Sequence, residues 1–225
     1  MQISRLFLLI LFGCSSSLLL SYEKKILSEV EQVFTNVYDN NWWWTGETHS
    51  GCGSNLYQTQ LIRQEIPRII KKYDIQSILD IPCGDFHWMQ YVALGIPYIG
   101  ADIVKELVIA NQEKYQNELR EFIHLDVISD TLPQVDLILC RDCLVHLSNE
   151  KIWQALRNIK KSGSKYLLAT TYNQITVNHD IPTGSWRKLN LMIAPFNFSK
   201  PLFVYNEGYE GDKCLVMWKI EDLPL

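Results

Sequence analysis

Between Ser77 and Thr171 the chain alternates short apolar runs with stretches of helical period, and that alternation restricts the fold more than any other feature of the sequence. The runs lie at 78–81, 97–102, 121–126, 135–141 and 165–171. Each is rich in Val, Ile, Leu or Tyr and too short for a core helix, so each reads as a strand buried on both faces. Helical stretches are expected at 86–92, at 104–116, and from Ser148 through Ile152, Leu156 and Ile159 to Gly163. Strands separated by helices pair in parallel, which makes this an α/β chain. Two later runs, 201–205 and 214–220, are joined by Asn206-Glu207-Gly208-Tyr209-Glu210-Gly211 and read as a hairpin rather than a crossover.

The size of 225 residues suits one domain with a sizeable core and a modest extension. Apolar residues at 47% and charged residues at 20% give the balance of a globular protein. A net charge of -4 argues against nucleic acid as the main partner, since such binders carry a basic stripe. The six cysteines, at 14, 52, 83, 140, 143 and 214, form no regular framework and read as free thiols. Cys140-x-x-Cys143 has no second pair at zinc-ribbon spacing, and core packing outweighs a metal or redox role for it.

Residues 1–21 carry one cation, Arg5, then an apolar run from Leu6 to Phe12, then small residues, the pattern of a secretory signal or a marginal anchor. Leu6 to Leu20 as helix would reach only about 22 Å, short of the roughly 30 Å bilayer core. Leu11-Phe12-Gly13-Cys14 also resembles a lipobox, and a helix packed on the domain is the remaining reading. These alternatives place the protein in the secretory pathway or at a membrane, or in the cytoplasm if the segment is only a packed helix.

An N-terminal helix and cap loop are expected over 22–56. Ile26, Val30, Val33, Phe34 and Val37 fall at helical spacing, with charges of both signs between them, as suits a helix lying on the domain. Trp42-Trp43-Trp44 opens an aperiodic loop, and three consecutive tryptophans cannot all face inward, so one is expected to cap a pocket or face a partner. Gly51-x-Gly53-Ser54 would either present backbone donors to an anion or form a simple turn. A further helix is expected from Leu61 to Tyr73, kinked or restarted at Pro67.

Three strands end in an acid: Asp80, Asp102 and Asp126. The interval from Asp80 to Asp102 is close to the roughly 20 residues at which a nucleotide-binding βαβ unit places its ribose-binding carboxylate. The turn after the first strand, Ile81-Pro82-Cys83-Gly84-Asp85, holds a single glycine and lacks the Gly-x-Gly-x-x-Gly of a dinucleotide reader.

These residues resemble the class I S-adenosylmethionine-dependent methyltransferase family. Leu79-Asp80-Ile81-Pro82-Cys83-Gly84-Asp85 is similar to its first motif in an Asp-x-Pro-Cys-Gly-Asp variant, and Ile99-Gly100-Ala101-Asp102-Ile103 to its second. His124-Leu125-Asp126-Val127 is similar to the third, and 136–147 to the fourth. The resemblance covers about 61–220 and implies a doubly wound, seven-stranded, mostly parallel sheet with an antiparallel last strand, the Rossmann-like methyltransferase fold, over a domain at 57–225. It implies S-adenosylmethionine as cofactor: Asp80 and the backbone of Pro82, Cys83 and Gly84 flanking the methionine part, with Asp85 beside it. Asp102 would hold the ribose, Ile103 would pack on the adenine, Asp126 and Val127 would meet the adenine edge, and Arg141 with Asp142 would line the sulfonium end. Pro82 departs from the commoner glycine and removes one backbone donor. Carboxylates suit a cationic sulfonium better than the N–H cradle that phosphates require.

A hydroxyl acceptor needs a base. Asp142 and His146 are four apart, so one helical turn would bring them to one face, with His146 as base and Asp142 orienting it or the acceptor. A histidine that merely caps or packs is the alternative. Asp85 and His87 form a second pair, and the four together as a metal site are disfavoured. The loop 171–202, with Thr183-Gly184-Ser185-Trp186-Arg187 and Pro195-Phe196-Asn197-Phe198, is expected to shape the acceptor site for a small polar molecule or a glycan. Asn197-Phe198-Ser199 is a glycosylation sequon, relevant in a eukaryotic secretory lumen. The competing functions are a secreted or lipid-anchored binding module without chemistry and, with less support, a nicotinamide oxidoreductase.

Overall fold

A computed structural model of the chain describes residues 27–208 and 211–225. The signal, anchor and lipobox readings of residues 1–21 lie outside that range. Seven strands form one sheet: β1 Ile78–Asp80, β2 Tyr98–Asp102, β3 Arg120–His124, β4 Leu137–Cys140, β5 Tyr166–Tyr172, β6 Phe203–Asn206 and β7 Lys213–Lys219. Their order is β3-β2-β1-β4-β5-β7-β6. The first five pair in parallel, and β7 runs against both its neighbours, as the sequence predicts.

The strand sequences are apolar throughout because both faces are covered, and alternate residues enter opposite cores. Leu79, Ile138, Leu167 and Ala169 enter the core that also takes Ile152, Leu156 and Ile159. Ile78, Leu137, Leu139 and Leu168 enter the other, with Ile62, Ile66, Ile69 and Val108. Four helices supply these layers and the cap: α1 Glu29–Asp39, α2 Gln60–Lys72, α3 Lys105–Tyr115 and α4 Asn149–Lys161. Ser28 caps α1 by accepting the Glu31 amide at 3.1 Å, and Ser148 caps α4 by accepting that of Lys151 at 3.3 Å.

Two local expectations give way to tertiary packing. Residues 86–92 form only a 3-10 turn at Met89–Tyr91. Phe86 takes a left-handed φ of 56° so that its ring meets Tyr98, Tyr115 and Phe122 at centroid distances of 5.4, 5.0 and 5.1 Å. Burial of that aromatic cluster outweighs helix propensity. The helix α2 does not restart at Pro67; it runs through it, held by the buried stripe Ile62, Ile66, Ile69 and Ile70.

Gly100 in β2 has no room for a side chain, since a Cβ there would lie 2.6 Å from the Phe122 ring. Gly100→Ala is expected to cost about 1–3 kcal/mol through overpacking, read as a lower urea midpoint at unchanged m-value.

Candidate functional site

The strand order turns back between β1 and β4, and such a switch point opens a crevice beyond the carboxyl ends of the strands. A pocket, partly open to solvent, lies there. Asp80, Pro82, Cys83, Gly84, Asp102, Ile103, Asp126, Val127, Arg141, Asp142 and His146 all line it. Eleven of the twelve residues singled out from the sequence are thus brought together on one wall. The sequence pattern placed them because each sits at a strand's end or in the turn that follows.

The three strand-end acids are held differently. Asp80 accepts from the Tyr98 hydroxyl at 2.7 Å, and burial pushes its carboxyl up to about 7 against the pull of that bond and of Arg141. Asp102 accepts the amides of Gly84 at 3.0 Å and Val104 at 2.9 Å, and burial raises it to about 6. Asp126 accepts the Ile128 amide at 2.8 Å and the Ser129 hydroxyl at 2.9 Å.

Asp85, the twelfth, is not among the residues that line the pocket. Its carboxylate accepts from the Thr48 hydroxyl at 2.8 Å, the His49 amide at 2.8 Å and the Ser50 hydroxyl at 3.0 Å. It is a clamp for the cap loop. His87 does the same work: its Nε2 lies 2.8 Å from Glu47 Oε1, which also accepts the Leu56 amide at 2.7 Å. The pair Asp85 and His87 therefore faces the cap and does not join Asp142 and His146 in a ligand set. Among the described residues no group of three or more His, Cys, Asp or Glu converges on a metal position.

The helix and cap loop expected over 22–56 supply the facing wall. Val30, Phe34, Val37 and Tyr38 of α1, with Trp43, His49, Ser50 and Ser54 of the loop, line the pocket. Of the three tryptophans Trp43 turns inward, while Trp42 and Trp44 are 67% and 47% exposed. In the Gly51-x-Gly53 segment, Gly53 O accepts from Arg141 Nη2 at 2.8 Å. Gly53 also packs so closely on Asp142 that a Cβ would lie 2.6 Å from its Oδ2.

Arg141 belongs to a buried cluster of four charges. It pairs with Glu207 at 2.7 Å and Asp142 at 3.1 Å, and Lys213 pairs with Asp142 at 2.6 Å. Burial alone would raise the Asp142 carboxyl, but Arg141 and Lys213 overcome it and hold the group well below the usual carboxylate range. Glu207 and Lys213 flank the terminal hairpin, and no pattern marks them in the sequence.

Asp142 and His146 share the pocket but not a helical face. Asp142 has a φ of 52°, and only a 3-10 turn, Leu144–His146, follows. The Asp142 carboxylate pairs with the two cations, and the backbone of another segment holds the His146 ring, so of the two roles expected for Asp142 only that toward an acceptor stays open. His146 Nδ1 lies 2.9 Å from Ser185 O, and a carbonyl can only accept, so Nδ1 carries the proton and Nε2 the lone pair. Burial lowers the imidazole from its ordinary value, which keeps it neutral near pH 7. The Trp43 ring lies 4.5 Å from it at 35°. The loop 171–202 contributes this support. Gly184 N bonds His146 O at 2.8 Å, and Arg187 Nη1 bonds Leu144 O and Val145 O at 3.2 and 3.0 Å.

Asp80 keeps its proton to higher pH folded than unfolded, so its contribution to stability is full below the ordinary 3.8 and is lost as pH rises through about 7. Asp80→Asn lacks that loss. From about pH 4 to about pH 8 its stability relative to the parent should grow by roughly 2–4 kcal/mol in urea titrations. Glu207→Gln leaves Arg141 short of a buried charge partner and should cost roughly 3–5 kcal/mol, read by thermal unfolding.

No protein-family model matches the chain, and no curated protein matches it. Solved structures do. Human N-acetylserotonin methyltransferase in complex with SAM superposes with a TM-score of 0.60 at 14% identity, over 85% of this chain and 60% of that one. Magnesium protoporphyrin IX methyltransferase from Synechocystis PCC 6803 with bound SAM gives 0.60 at 11% identity, over 85% of this chain and 97% of that one. At such identities the likeness is one of architecture: the chain has the Rossmann-like methyltransferase fold.

Proposed function

We propose that this chain is an S-adenosylmethionine-dependent methyltransferase that acts on a hydroxyl of a small polar or glycan acceptor. The observation that carries the reading is the state of the turn after β1. Its amides are already taken: Cys83 by Ala101 O at 2.8 Å, Gly84 by Asp102 at 3.0 Å, Asp85 by Ser50 Oγ at 2.9 Å and Phe86 by Cys83 O at 3.3 Å. Pro82 has none. A turn with no N–H to offer is a poor phosphate cradle, which disfavours the nicotinamide reading. Carboxylates and an apolar slot remain, and they match a cationic nucleoside. The two solved methyltransferases of the same fold carry that ligand.

Asp80 and Asp142 would face the positive end, Asp102 the ribose, and Ile103, Leu107, Leu125 and Val127 the adenine. The cofactor, when bound, supplies an electrophilic methyl group on a cationic sulfur. The chain's part is to hold the acceptor beside it and to take a proton. His146 Nε2, with its lone pair free, is the acceptor of that proton, and the fixed negative charge of Asp142 favours the imidazolium that results.

A secretory or membrane-associated placement rests on residues 1–21. Among the described residues no helix is long and apolar enough to cross a membrane. Fractionation with protease protection decides the compartment.

Calorimetric titration should show saturable binding of S-adenosylmethionine and S-adenosylhomocysteine but not NAD. Binding of none of the three favours the non-catalytic module. In a mass-shift screen over polyols and glycans, His146→Gln should keep cofactor affinity within a few-fold and lower turnover by about 100-fold or more. Unchanged turnover ends the role of His146 as base.

A further inference from the structure

The base is not held by its own neighbours in sequence. Ser185 O fixes the proton on Nδ1, but a single in-plane hydrogen bond leaves the ring free to rock about it. The plane is set by Trp43, whose ring lies over the imidazole at 4.5 Å and 35° and is itself backed by Phe34 of α1 at 6.0 Å. Trp43 and His146 both line the pocket. Trp43 belongs to the same loop that Asp85 clamps through Thr48, His49 and Ser50. Asp85 follows Gly84 directly, and a Cβ on Gly84 would collide with Ser50 Oγ, so the loop and the pocket turn are in contact.

We propose that Trp43 is a positioning residue for His146, and that the Asp85 clamp ties the placement of that base to the turn lining the cofactor side of the pocket. The inference rests on the methyltransferase reading for its purpose, but not for its geometry. The cap loop thus completes the catalytic centre: the base adopts its working orientation when the loop is docked on the turn at Gly84 and Asp85. Stacking of this kind favours one ring orientation over its alternatives.

The test needs no acceptor. Nitrogen-15 spectra of the imidazole rings, with the His146 signals assigned by their loss in His146→Gln, report tautomer and ring environment. In the parent, His146 should be a single Nδ1–H species with ring protons displaced by the tryptophan ring current. Trp43→Ala should abolish that displacement and let the ring rock, weakening its hydrogen bond to Ser185 O and speeding exchange of the Nδ1 proton with solvent, while Ser185 O keeps the Nδ1–H tautomer. Trp43→Phe should retain most of the parent signature. Asp85→Asn, altered at a residue that touches neither ring, should reproduce the Trp43→Ala spectrum, and the double variant should add nothing further. A His146 Nδ1 proton that exchanges no faster in Trp43→Ala than in the parent overturns the positioning role. A His146 signal unmoved by Asp85→Asn overturns the tie to the turn. If the parent fails to bind S-adenosylhomocysteine, the methyltransferase reading falls, while the ring spectra still decide whether Trp43 places His146.

Discussion

The ion pair between Arg141 and Glu207 is the contact on which the pocket's architecture depends. Both side chains are almost wholly removed from water, 3% and 1% exposed, so neither charge is tolerable without the other. The pair joins the end of β4 to the hairpin beside β7, and Arg141 extends it to the cap loop through Gly53 O. Lys213 and Asp142 complete a cluster of two positive and two negative groups, so the net charge buried is zero. Asp142 is left anionic, with its side chain 22% exposed toward the pocket. A standing negative charge at that edge is therefore a consequence of how the sheet is closed, and it is what a cationic ligand and a developing imidazolium both require.

The Asp85 clamp does for the front of the pocket what Arg141 does for its floor. A loop containing three tryptophans, two threonines and three glycines has little reason to adopt one conformation by itself. Three donors from Thr48, His49 and Ser50 converging on one carboxylate give it one. Charge-assisted bonds of this kind are roughly twice as strong as neutral ones, and their convergence on a turn already fixed by β1 makes the loop part of the rigid frame. Trp43 and His49 can then serve as wall rather than as fringe.

Much of the sheet was legible because its signal is local. A run such as Leu137-Ile138-Leu139-Cys140 is apolar on both faces, and only a strand covered from both sides uses such a sequence. The acids Asp80, Asp102 and Asp126 were legible for the same reason: each stands where a strand stops. Glu207 and Lys213 were not, since a charged residue beside a hairpin looks like any exposed one until its partner is known. The helix expected at 86–92 failed because Phe86, Trp88 and Met89 were needed in a core cluster that the local period does not describe. The part played by 171–202 was not legible either: its Ser185, Gly184 and Arg187 hold the His146 turn, while α1 and the cap loop line the pocket.

The order of strands and helices and the row of carboxylates at the sheet's edge follow from the sequence alone, because short-range patterns of apolar and acidic residues encode them. What encloses the site was decided only by the tertiary structure. Arg141 meets Glu207 66 positions away and Gly53 88 positions away, and Asp85 meets Thr48 across 37. No periodicity links such residues. Their pairing follows from closing the sheet and docking the cap, which bring groups distant in sequence into contact.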